Sequence, residues 1–381
     1  MNTRLSDERT PTRLALLVGS NPLPNYLAAA VLGPRETVIL LHSPETQESR
    51  DHLSAALKEK WPSLEIDPKC IDDATDRRKV HDVCSRLKVD HLHYSGGTKT
   101  MAAHARHSLQ LGDNQASYLD ERKGLLRFDD GYDVPLGDRD VGLSFDILLR
   151  LHGIERRANR PEAEGGPAEC DVEAVARSVR TEPGLARRLY EAFRQDGKMV
   201  PLASAKAASW NPEQHGLVLG VRSVPEVNWS KARYESWARF LTGDWLERWT
   251  AAAIRSCLVG VAPPEVGVKC SRTQSRLEFE IDVALVRGHR LYVVSCTTDT
   301  RKDLCKSKLF ELAMRARQMG GDLARSALVC LSGAGDALRA DMTSVWDAPN
   351  VPRVFGIADL REWAGDSGPP NTSSLKEWLD T

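Results

Sequence analysis

A Ser-Gly-Gly-Thr-Lys-Thr segment separates an apolar run at 91–94 from a helical pattern that follows it. Glycines let backbone N–H groups approach an anion closely, and a helix N-terminus and a lysine add positive potential. Neither the P-loop pattern nor the dinucleotide-binding glycine pattern fits this segment. The segment predicts a phosphate-binding site made of Ser95, Gly96, Gly97, Thr98, Lys99 and Thr100.

A second loop follows the first apolar run of the chain. The run at 13–19 ends in glycine and is followed by Ser20, Asn21 and Pro22. Because the carboxyl ends of parallel strands meet at one edge of a sheet, we expect the two loops to lie side by side. The alternative is that Gly96 and Gly97 only make a tight turn from a strand into a helix.

Acidic and apolar residues alternate over 278–285, which predicts a strand. The acids on one face are Glu278, Glu280 and Asp282, and the apolar residues on the other are Phe279, Ile281, Val283 and Leu285. A two-residue turn at Gly288-His289 then sets Arg287 opposite Arg290, Asp282 opposite Ser295 and Glu280 opposite Thr297. Carboxylate oxygens are the ligands that Mg²⁺ and Mn²⁺ prefer. The strand predicts a cation site, with a solvent-facing polar face as the alternative.

Strand-like and helix-like segments alternate through the first 150 residues, which predicts an α/β fold with a mostly parallel, doubly wound sheet. A hairpin is predicted at 116–129. Residues 155–169 are rich in proline, glycine and charge, as is typical of a linker. A small helical segment follows, and then a second α/β unit with a long helix, two strands, a helix and a strand. The predicted domains are 1–154, a connecting segment at 155–229, and 230–381.

The composition describes an ordinary globular protein without a targeting segment. With a net charge of −1, the chain has no overall attraction to nucleic acid or membrane, so any such site must be local. No apolar run is long enough to span a bilayer, and the first residues lack a signal core. The eight cysteines form no CxxC pair or zinc spacing and are expected to be reduced thiols. These features predict a cytoplasmic protein with no membrane partner.

The first half of the chain resembles the CARF domain, the Rossmann-like sensor domain of type III CRISPR effectors. The residues that carry the resemblance are "LALLVGSNPLPN" after the first strand and "HYSGGTKTM" after the fourth. The resemblance implies that both loops line a pocket for a cyclic oligoadenylate at a homodimer interface. It implies ligand contacts by Ser20, Asn21 and Pro22, and by Ser95, Gly96, Gly97, Thr98, Lys99 and Thr100.

The second half resembles the PD-(D/E)xK nuclease superfamily. The matching pieces are "GDWLERW", "EIDVALVRGHRLYVVSC" and "RARQMGGDLARSALV". The resemblance implies that Asp282 binds a metal, Mn²⁺ or Mg²⁺, and that Glu247 is the acid on the helix. Where the superfamily has E-x-K, however, this chain has Ser295-Cys296-Thr297.

Neighbouring residues could replace the missing acid and lysine. Lys306, Lys308 and Glu311 lie on the next predicted helix, and the last two share a face because they are three residues apart. The superfamily resemblance allows the lysine or the acid to migrate to such an element. Glu280 is a further candidate metal ligand, and Ser295 and Thr297 are candidates for orienting water. The alternative is that Lys308 and Glu311 form a surface ion pair.

Together these features predict a homodimeric, metal-dependent nuclease that a cyclic oligoadenylate activates, with the tetra-adenylate form favoured by the resemblance. The substrate is DNA, RNA or both. The rival hypothesis is a sensor whose degenerate nuclease domain binds nucleic acid or a partner without cleaving. A third hypothesis is that the N-terminal domain degrades its own ligand.

Overall fold

Parallel strands form the centre of the N-terminal half. The computed structural model describes residues 5–6, 9–137, 139–158, 163–201, 230–258, 260–273, 278–345 and 351–381. The strands of this half are β1 (Arg13–Leu17), β2 (Thr37–His42), β3 (Glu65–Cys70), β4 (His91–His93), β5 (Ala116–Asp120), β6 (Leu125–Phe128) and β7 (Asp133–Pro135). They form one seven-stranded sheet in the order β3-β2-β1-β4-β5-β6-β7. The first five strands are parallel to one another, and β6 and β7 extend the sheet by antiparallel pairs. The predicted doubly wound sheet and hairpin are confirmed, and β7 lengthens the hairpin by one strand.

Helices connect the parallel strands of this sheet. They are α1 (Leu23–Leu32), α2 (Gln47–Lys60), α3 (Arg77–Cys84) and α4 (Lys99–Leu109), and a further helix, α5 (Phe145–Leu151), follows β7. All six residues of β2 are buried, as is expected of a strand covered on both faces. Helix α4 begins where predicted, because the hydroxyl of Thr98 accepts a hydrogen bond of 3.1 Å from the N–H of Met101.

A six-stranded sheet forms the centre of the C-terminal half. The remaining strands in chain order are β8 (Ile154–Arg156), β9 (Arg194–Gln195), β10 (Lys198–Met199), β11 (Glu265–Arg272), β12 (Glu278–Arg287), β13 (Arg290–Thr297), β14 (Arg325–Cys330) and β15 (Arg353–Phe355). The sheet order is β15-β14-β13-β12-β11-β8, and β9 pairs with β10 separately. Strand β11 was not predicted. Strand β8 continues to Arg156, inside the segment predicted to be a linker.

Helices of the second half cover this sheet. They are α6 (Glu169–Thr181), α7 (Gly184–Phe193), α8 (Lys231–Arg239), α9 (Trp245–Cys257), α10 (Lys302–Gly320), α11 (Gly335–Val345), α12 (Ile357–Ala364) and α13 (Ser373–Asp380). The predicted long helix that begins near residue 230 contains a π-helical step, Phe240–Asp244, between α8 and α9. None of the helices in the described ranges is long and apolar enough to cross a membrane.

Two large apolar cores hold these layers together. One core joins both sheets, since Leu16 and Leu40 of the first and Leu291 and Val293 of the second belong to one cluster. The other lies on the opposite face of the second sheet and includes Trp245, along with residues of α6 and α7. The segment at 169–193 therefore packs with the C-terminal half. Residues 202–229 of the predicted connecting segment lie outside the described residues, and the domain boundaries at 154 and 229 stay predictions.

Candidate functional site

The two predicted ligand loops lie at the point where the strand order of the first sheet reverses. The chain runs from β1 through β2 to β3 on one side, and then crosses to β4 on the other side of β1. Because β1 and β4 are parallel neighbours, the loops after them leave the same edge of the sheet. Such a switch point is the position at which open α/β sheets bind ligands. We call residues 19–22 the first loop and residues 95–100 the second loop.

Glycines bring the two loops into backbone contact. A methyl group on Gly19 would lie 2.9 Å from the N atom of Gly97, and one on Gly96 would lie 2.9 Å from the N atom of Gly19. Gly97 also has a φ of +73°, which disfavours other residues. The glycines therefore do more than turn a strand into a helix, because they let two loops share one surface.

The side chains of the two loops divide into anchored and exposed groups. Asn21 Oδ1 accepts a hydrogen bond of 3.1 Å from the N–H of Leu23 and lies 3.2 Å from His152 Nε2. Ser95 Oγ accepts a short hydrogen bond of 2.5 Å from the N–H of Leu119. Pro22 is buried before α1. The exposed residues are Ser20, Gly97, Thr98, Lys99 and Thr100. Direct ligand contact by any of the predicted residues stays a prediction, and the exposed group is the part open to solvent.

The second predicted site lies on the hairpin of β12 and β13. Arg287 is opposite Arg290, which confirms the predicted turn at Gly288-His289. Asp282 and Ser295 meet as predicted, since Ser295 Oγ donates a hydrogen bond of 3.0 Å to Asp282 Oδ2. The N–H of Cys296 donates to the same oxygen at 2.7 Å. Two donors from β13 therefore hold the Asp282 carboxylate in one orientation.

The predicted alternation along β12 is wrong beyond Ile281. Ile281 packs in the core that joins the two sheets, whereas Val283 packs in the core on the opposite face. On β11, Val268 pairs with Ile281 and packs in the same core as Ile281, whereas Val266 pairs with Val283 and packs against the same core as Val283. The face of each strand that points to a given core therefore changes at Gly267 on β11 and at Asp282 on β12. Gly267 has a φ of +59°, a conformation that glycine allows in a strand where the regular pleat is interrupted. This interruption places Asp282 at an irregular point of the sheet.

Carboxylates from two elements converge beside Gly267. A methyl group on Gly267 would lie 3.5 Å from Glu280 Oε1 and 3.7 Å from Glu247 Oε2. Glu280 comes from β12, and Glu247 comes from the first turn of α9. The missing side chain at Gly267 therefore leaves room for two carboxylates to approach from the strand and the helix.

The carboxyl groups of this cluster perturb one another. Burial raises the pKa of Glu247 well above its usual range, and the charges of Asp282, Asp244 and Glu280 raise it further. Burial also raises the pKa of Asp282, against the hydrogen bond from Cys296 and the charge of Lys308. The pKa of Glu280 is raised by burial, while Lys269 acts in the opposite direction. Because the pKa values of these carboxyl groups are raised, a bound cation would stabilise their charged forms.

Helix α10 brings one of its two predicted lysines to the cluster. The charge of Lys308 acts on both Asp282 and Glu247. Lys306 instead forms an ion pair with Asp341 of α11 at 2.8 Å, which favours Lys308 over Lys306 as the lysine of the candidate site. Glu311 pairs with Arg315 at 2.5 Å rather than with Lys308, and its charge still acts on Asp282.

Thr297 is buried and its hydroxyl accepts a hydrogen bond of 3.3 Å from the N–H of Asp299, which gives it a role in the turn after β13. Its predicted position opposite Glu280 stays a prediction. The residues that the sequence interpretation missed are Asp244, Gly267 and Lys269. Asp244 ends the π-helical step, and such steps occur often at functional sites. Lys269 is opposite Glu280 on β11.

The cluster provides the oxygen atoms that a hard divalent cation requires. In the described ranges, no three His, Cys, Asp or Glu side chains are already arranged around a common metal position. The chemistry of the group nevertheless fits Mg²⁺ or Mn²⁺, because Asp282, Glu280 and Glu247 are all carboxylates and the last two point to the same space beside Gly267.

Comparisons with known proteins agree with this architecture. Residues 234–347 match the family model described as "Card1-like, endonuclease domain". This match confirms the predicted endonuclease resemblance of the second half. A search of curated proteins found no match.

Three solved structures share the fold. One is Can2 from Sulfobacillus thermosulfidooxidans in complex with cyclic tetra-adenylate, at 18% identity and a TM-score of 0.70, covering 97% of this chain and 99% of that one. Another is protein VC1899 from Vibrio cholerae, at 15% identity and a TM-score of 0.66, covering 97% and 98%. The third is a type III CRISPR defence DNA nuclease activated by cyclic oligoadenylate, at 19% identity and a TM-score of 0.57. It covers 97% of this chain, which corresponds to 51% of that protein. These similarities confirm the predicted fold, a Rossmann-like domain followed by a second α/β domain.

Proposed function

We propose that this chain is a metal-dependent nuclease of type III CRISPR defence that cyclic tetra-adenylate activates. The observation that carries the proposal is the approach of Glu280 and Glu247 beside Gly267, with Asp282 near enough for its charge to raise the pKa of Glu247, within the segment that matches an endonuclease domain. The descriptions of two structural neighbours support the activator, because one contains cyclic tetra-adenylate and the other is activated by cyclic oligoadenylate. The neighbour that cyclic oligoadenylate activates is a DNA nuclease, which favours DNA as the substrate of this chain. RNA is the second substrate to test.

The proposed activator site is the surface shared by the first and second loops. The exposed N-terminus of α4 offers N–H groups and the positive end of a helix dipole, and Lys99 adds a full charge there. A cyclic ligand with internal symmetry suits a two-fold axis, which would present each loop twice. We therefore propose a cytoplasmic homodimer that binds one ring between its N-terminal domains.

The proposed nuclease site uses Asp282, Glu280 and Glu247 to hold Mn²⁺ or Mg²⁺. When bound, such a cation polarises a scissile phosphate and lowers the pKa of a coordinated water. Ser295 and the N–H of Cys296 hold Asp282 in place, so the carboxylate does not have to reorient during the reaction.

Lys308 supplies the positive charge that Ser295-Cys296-Thr297 does not. We propose that its ammonium stabilises the negative charge that develops on the phosphate in the transition state. Its charge already acts on Asp282 and Glu247 from helix α10, as this role requires. Glu311, whose charge also acts on Asp282, stays a candidate ligand.

Incubation of the purified protein with nucleic acids tests the proposal. The substrates are supercoiled plasmid, single-stranded DNA and single-stranded RNA, each with Mn²⁺ or Mg²⁺, and with cyclic tri-, tetra- or hexa-adenylate or no ring. We expect cleavage of DNA that depends on both the metal and cyclic tetra-adenylate. Absence of ring-stimulated cleavage under all of these conditions would contradict the proposal.

The replacement of E-x-K is the observation that favours the second candidate, a sensor that binds nucleic acid without cleaving it. In that case Ser295 and Cys296 would serve only to anchor Asp282 within the strand pair. Ring-dependent binding of DNA, measured with Ca²⁺ in place of Mn²⁺, together with no cleavage in Mn²⁺, would identify this function.

Lys99→Ala is expected to raise the concentration of cyclic tetra-adenylate needed for half-maximal activation about tenfold, because one charge-assisted contact to phosphate is lost. The maximal cleavage rate at saturating ligand should stay near that of the wild type. Lys88→Ala is the matched control, because Lys88 precedes β4 and its carbonyl bonds Arg13 at the opposite edge of the sheet. An unchanged half-maximal concentration in Lys99→Ala would contradict the assignment of the second loop.

Glu247→Gln is expected to raise the midpoint temperature of unfolding in protein stripped of divalent metal. A carboxyl whose pKa is raised by folding favours the folded state while protonated, and this contribution is lost as the pH rises above its ordinary value of 4.5. The gain over wild type should therefore grow between about pH 5 and about pH 8, to about 2–4 °C, the shift that about 1 kcal/mol gives in large domains.

Differential scanning calorimetry in EDTA measures this effect. Glu278→Gln is the control, because Glu278 is an exposed carboxylate on the same strand, β12. Equal midpoints for wild type and Glu247→Gln across this pH range would mean that Glu247 carries no unfavourable charge.

A further inference from the structure

The turn that follows helix α10 contacts Asn21 of the first loop and Glu121, which follows strand β5. Helix α10 ends at Gly320, and Gly321 and Asp322 form the turn that follows it. We call these two residues the α10 turn. It lies in the second half of the chain, while both loops belong to the first.

The first loop reaches the α10 turn through Asn21. A methyl group on Gly321 would lie 2.5 Å from Asn21 Nδ2, so the amide packs directly on the glycine backbone. The hydrogen bond that Asn21 Oδ1 accepts from the N–H of Leu23 fixes the direction in which the amide points. Because the Asn21 amide packs directly against Gly321, a displacement of the first loop would also displace the turn.

The second loop reaches the same turn through strand β5. Ser95 Oγ accepts the hydrogen bond from the N–H of Leu119, one residue before the end of that strand. Two residues after Leu119, Glu121 Oε2 accepts a hydrogen bond of 2.9 Å from the N–H of Asp322. The same carboxylate oxygen would lie 2.7 Å from a methyl group on Gly321. The tip of the hairpin thus connects the second loop to the turn.

Gly321 allows both contacts because it has no side chain. Its φ of +58° and ψ of −145° are a combination that only glycine adopts readily. Any side chain at this position would separate the turn from Asn21 and Glu121 together. The first loop and the tip of the hairpin therefore converge on a single residue of the C-terminal half.

Helix α10 extends from this turn to the proposed nuclease site. Lys308 lies thirteen residues before Gly321, or about 20 Å along a helix with a rise of about 1.5 Å per residue. A helix moves as a rigid body, so a small shift or rotation at one end changes the position of side chains at the other. Lys308 and Glu311 are the side chains of α10 whose charges act on Asp282.

We infer that the α10 turn is the element through which the two loops set the position of Lys308, and that Glu121 is a positioning residue for cleavage. This inference rests on the proposed function. It assigns to Glu121 a hydrogen bond across the two halves of the chain, and to Gly321 the space that the bond requires. Through this contact, a ligand bound at the two loops would change the position of Lys308 relative to Asp282.

Glu121→Ala tests the inference, with Glu121→Gln as the conservative variant that keeps an oxygen acceptor for the N–H of Asp322. Calorimetric titration measures the dissociation constant for cyclic tetra-adenylate, and a cleavage assay measures the ratio of rates with and without saturating ligand. We expect Glu121→Ala to bind the ligand within about twofold of wild type, while the activation ratio falls about tenfold. Glu121→Gln should retain most of the activation. Wild-type activation in Glu121→Ala would overturn the inference.

Gly321→Ala provides a second test, with a control that is matched in backbone φ. Gly288 has the same φ of +58°, but no atom lies within 4 Å of the methyl group that alanine would add there, whereas at Gly321 that methyl group would meet Asn21 and Glu121. We expect the activation ratio to fall in Gly321→Ala and to be retained in Gly288→Ala. Equal activation ratios in the two variants would contradict the assigned contact.

A measurement without ligand separates this inference from the proposed function. If the wild-type protein shows no ring-stimulated cleavage, the proposed function fails on that result alone. Amide hydrogen exchange over 302–320 in ligand-free Glu121→Ala and Glu121→Gln then tests whether Glu121 supports α10. Faster exchange in Glu121→Ala only would support the positioning role, and identical exchange in both variants would overturn it.

Discussion

Asp282→Asn and Asp282→Ala are each expected to lower ring-stimulated cleavage about 10³-fold or more, the scale of losing a group that stabilises charge directly at the reaction centre. Asp282 is the carboxylate that two donors of β13 hold in one orientation, and it lies at the point where β11 and β12 change faces. Asparagine keeps an oxygen acceptor for Ser295 and Cys296 but removes the charge. The asparagine variant should therefore fold normally and still lose activity.

Two controls make this result specific. Glu278→Ala removes an exposed carboxylate from the same strand and should cleave at the wild-type rate. Binding of cyclic tetra-adenylate should be unchanged in both Asp282 variants, because the two loops lie in the other sheet. Wild-type cleavage by Asp282→Asn would rule out Asp282 as a metal ligand. If wild type and Asp282→Asn bind DNA equally and neither cleaves, the sensor hypothesis is the better account.

Lys308→Ala is expected to lower the cleavage rate about 10²–10³-fold at saturating activator, because the loss of one preorganised positive group typically has this effect on a phosphoryl or acyl transition state. The lysine of the E-x-K pattern is absent from β13, where Ser295-Cys296-Thr297 carries no charge. Lys308 instead acts on the cluster from helix α10.

Lys306→Ala is the matched control, since it removes the same charge from the same helix two residues away. Lys306 pairs with Asp341, so its loss should change the cleavage rate only a few-fold. Steady-state rates with one DNA substrate, one Mn²⁺ concentration and saturating activator compare the two variants directly. Equal losses in both would mean that the general charge of α10 matters and that Lys308 has no specific role.

Much of the fold follows from local sequence patterns. The alternation of apolar strands with helices predicted the parallel sheet, and Gly288-His289 between two apolar strands predicted the hairpin register. These features were predictable because turn chemistry and hydrophobic periodicity act over a few residues. The resemblance to the CARF domain implies ligand contacts by the same two loops that the structure places at the switch point.

The missed features depend on tertiary contacts. Strand β11 carries Gly267 and Lys269 within eight residues, so its apolar pattern is weak, and it is held by pairing with β12 and β8. Asp244 cannot be distinguished in the sequence from any other acidic residue of a helix, because a π-helical step has no local sequence signature. Lys306 and Lys308 were both candidates in the sequence, and the ion pair of Lys306 with Asp341 on α11 distinguishes them.

The ratio of DNA cleavage rates with and without cyclic tetra-adenylate, measured for the wild-type protein in Mn²⁺, tests the central claim most directly. We predict an increase of at least about tenfold that saturates at one ring for two chains. Cleavage that is equal with and without the ring, or cleavage that persists in EDTA, would contradict it.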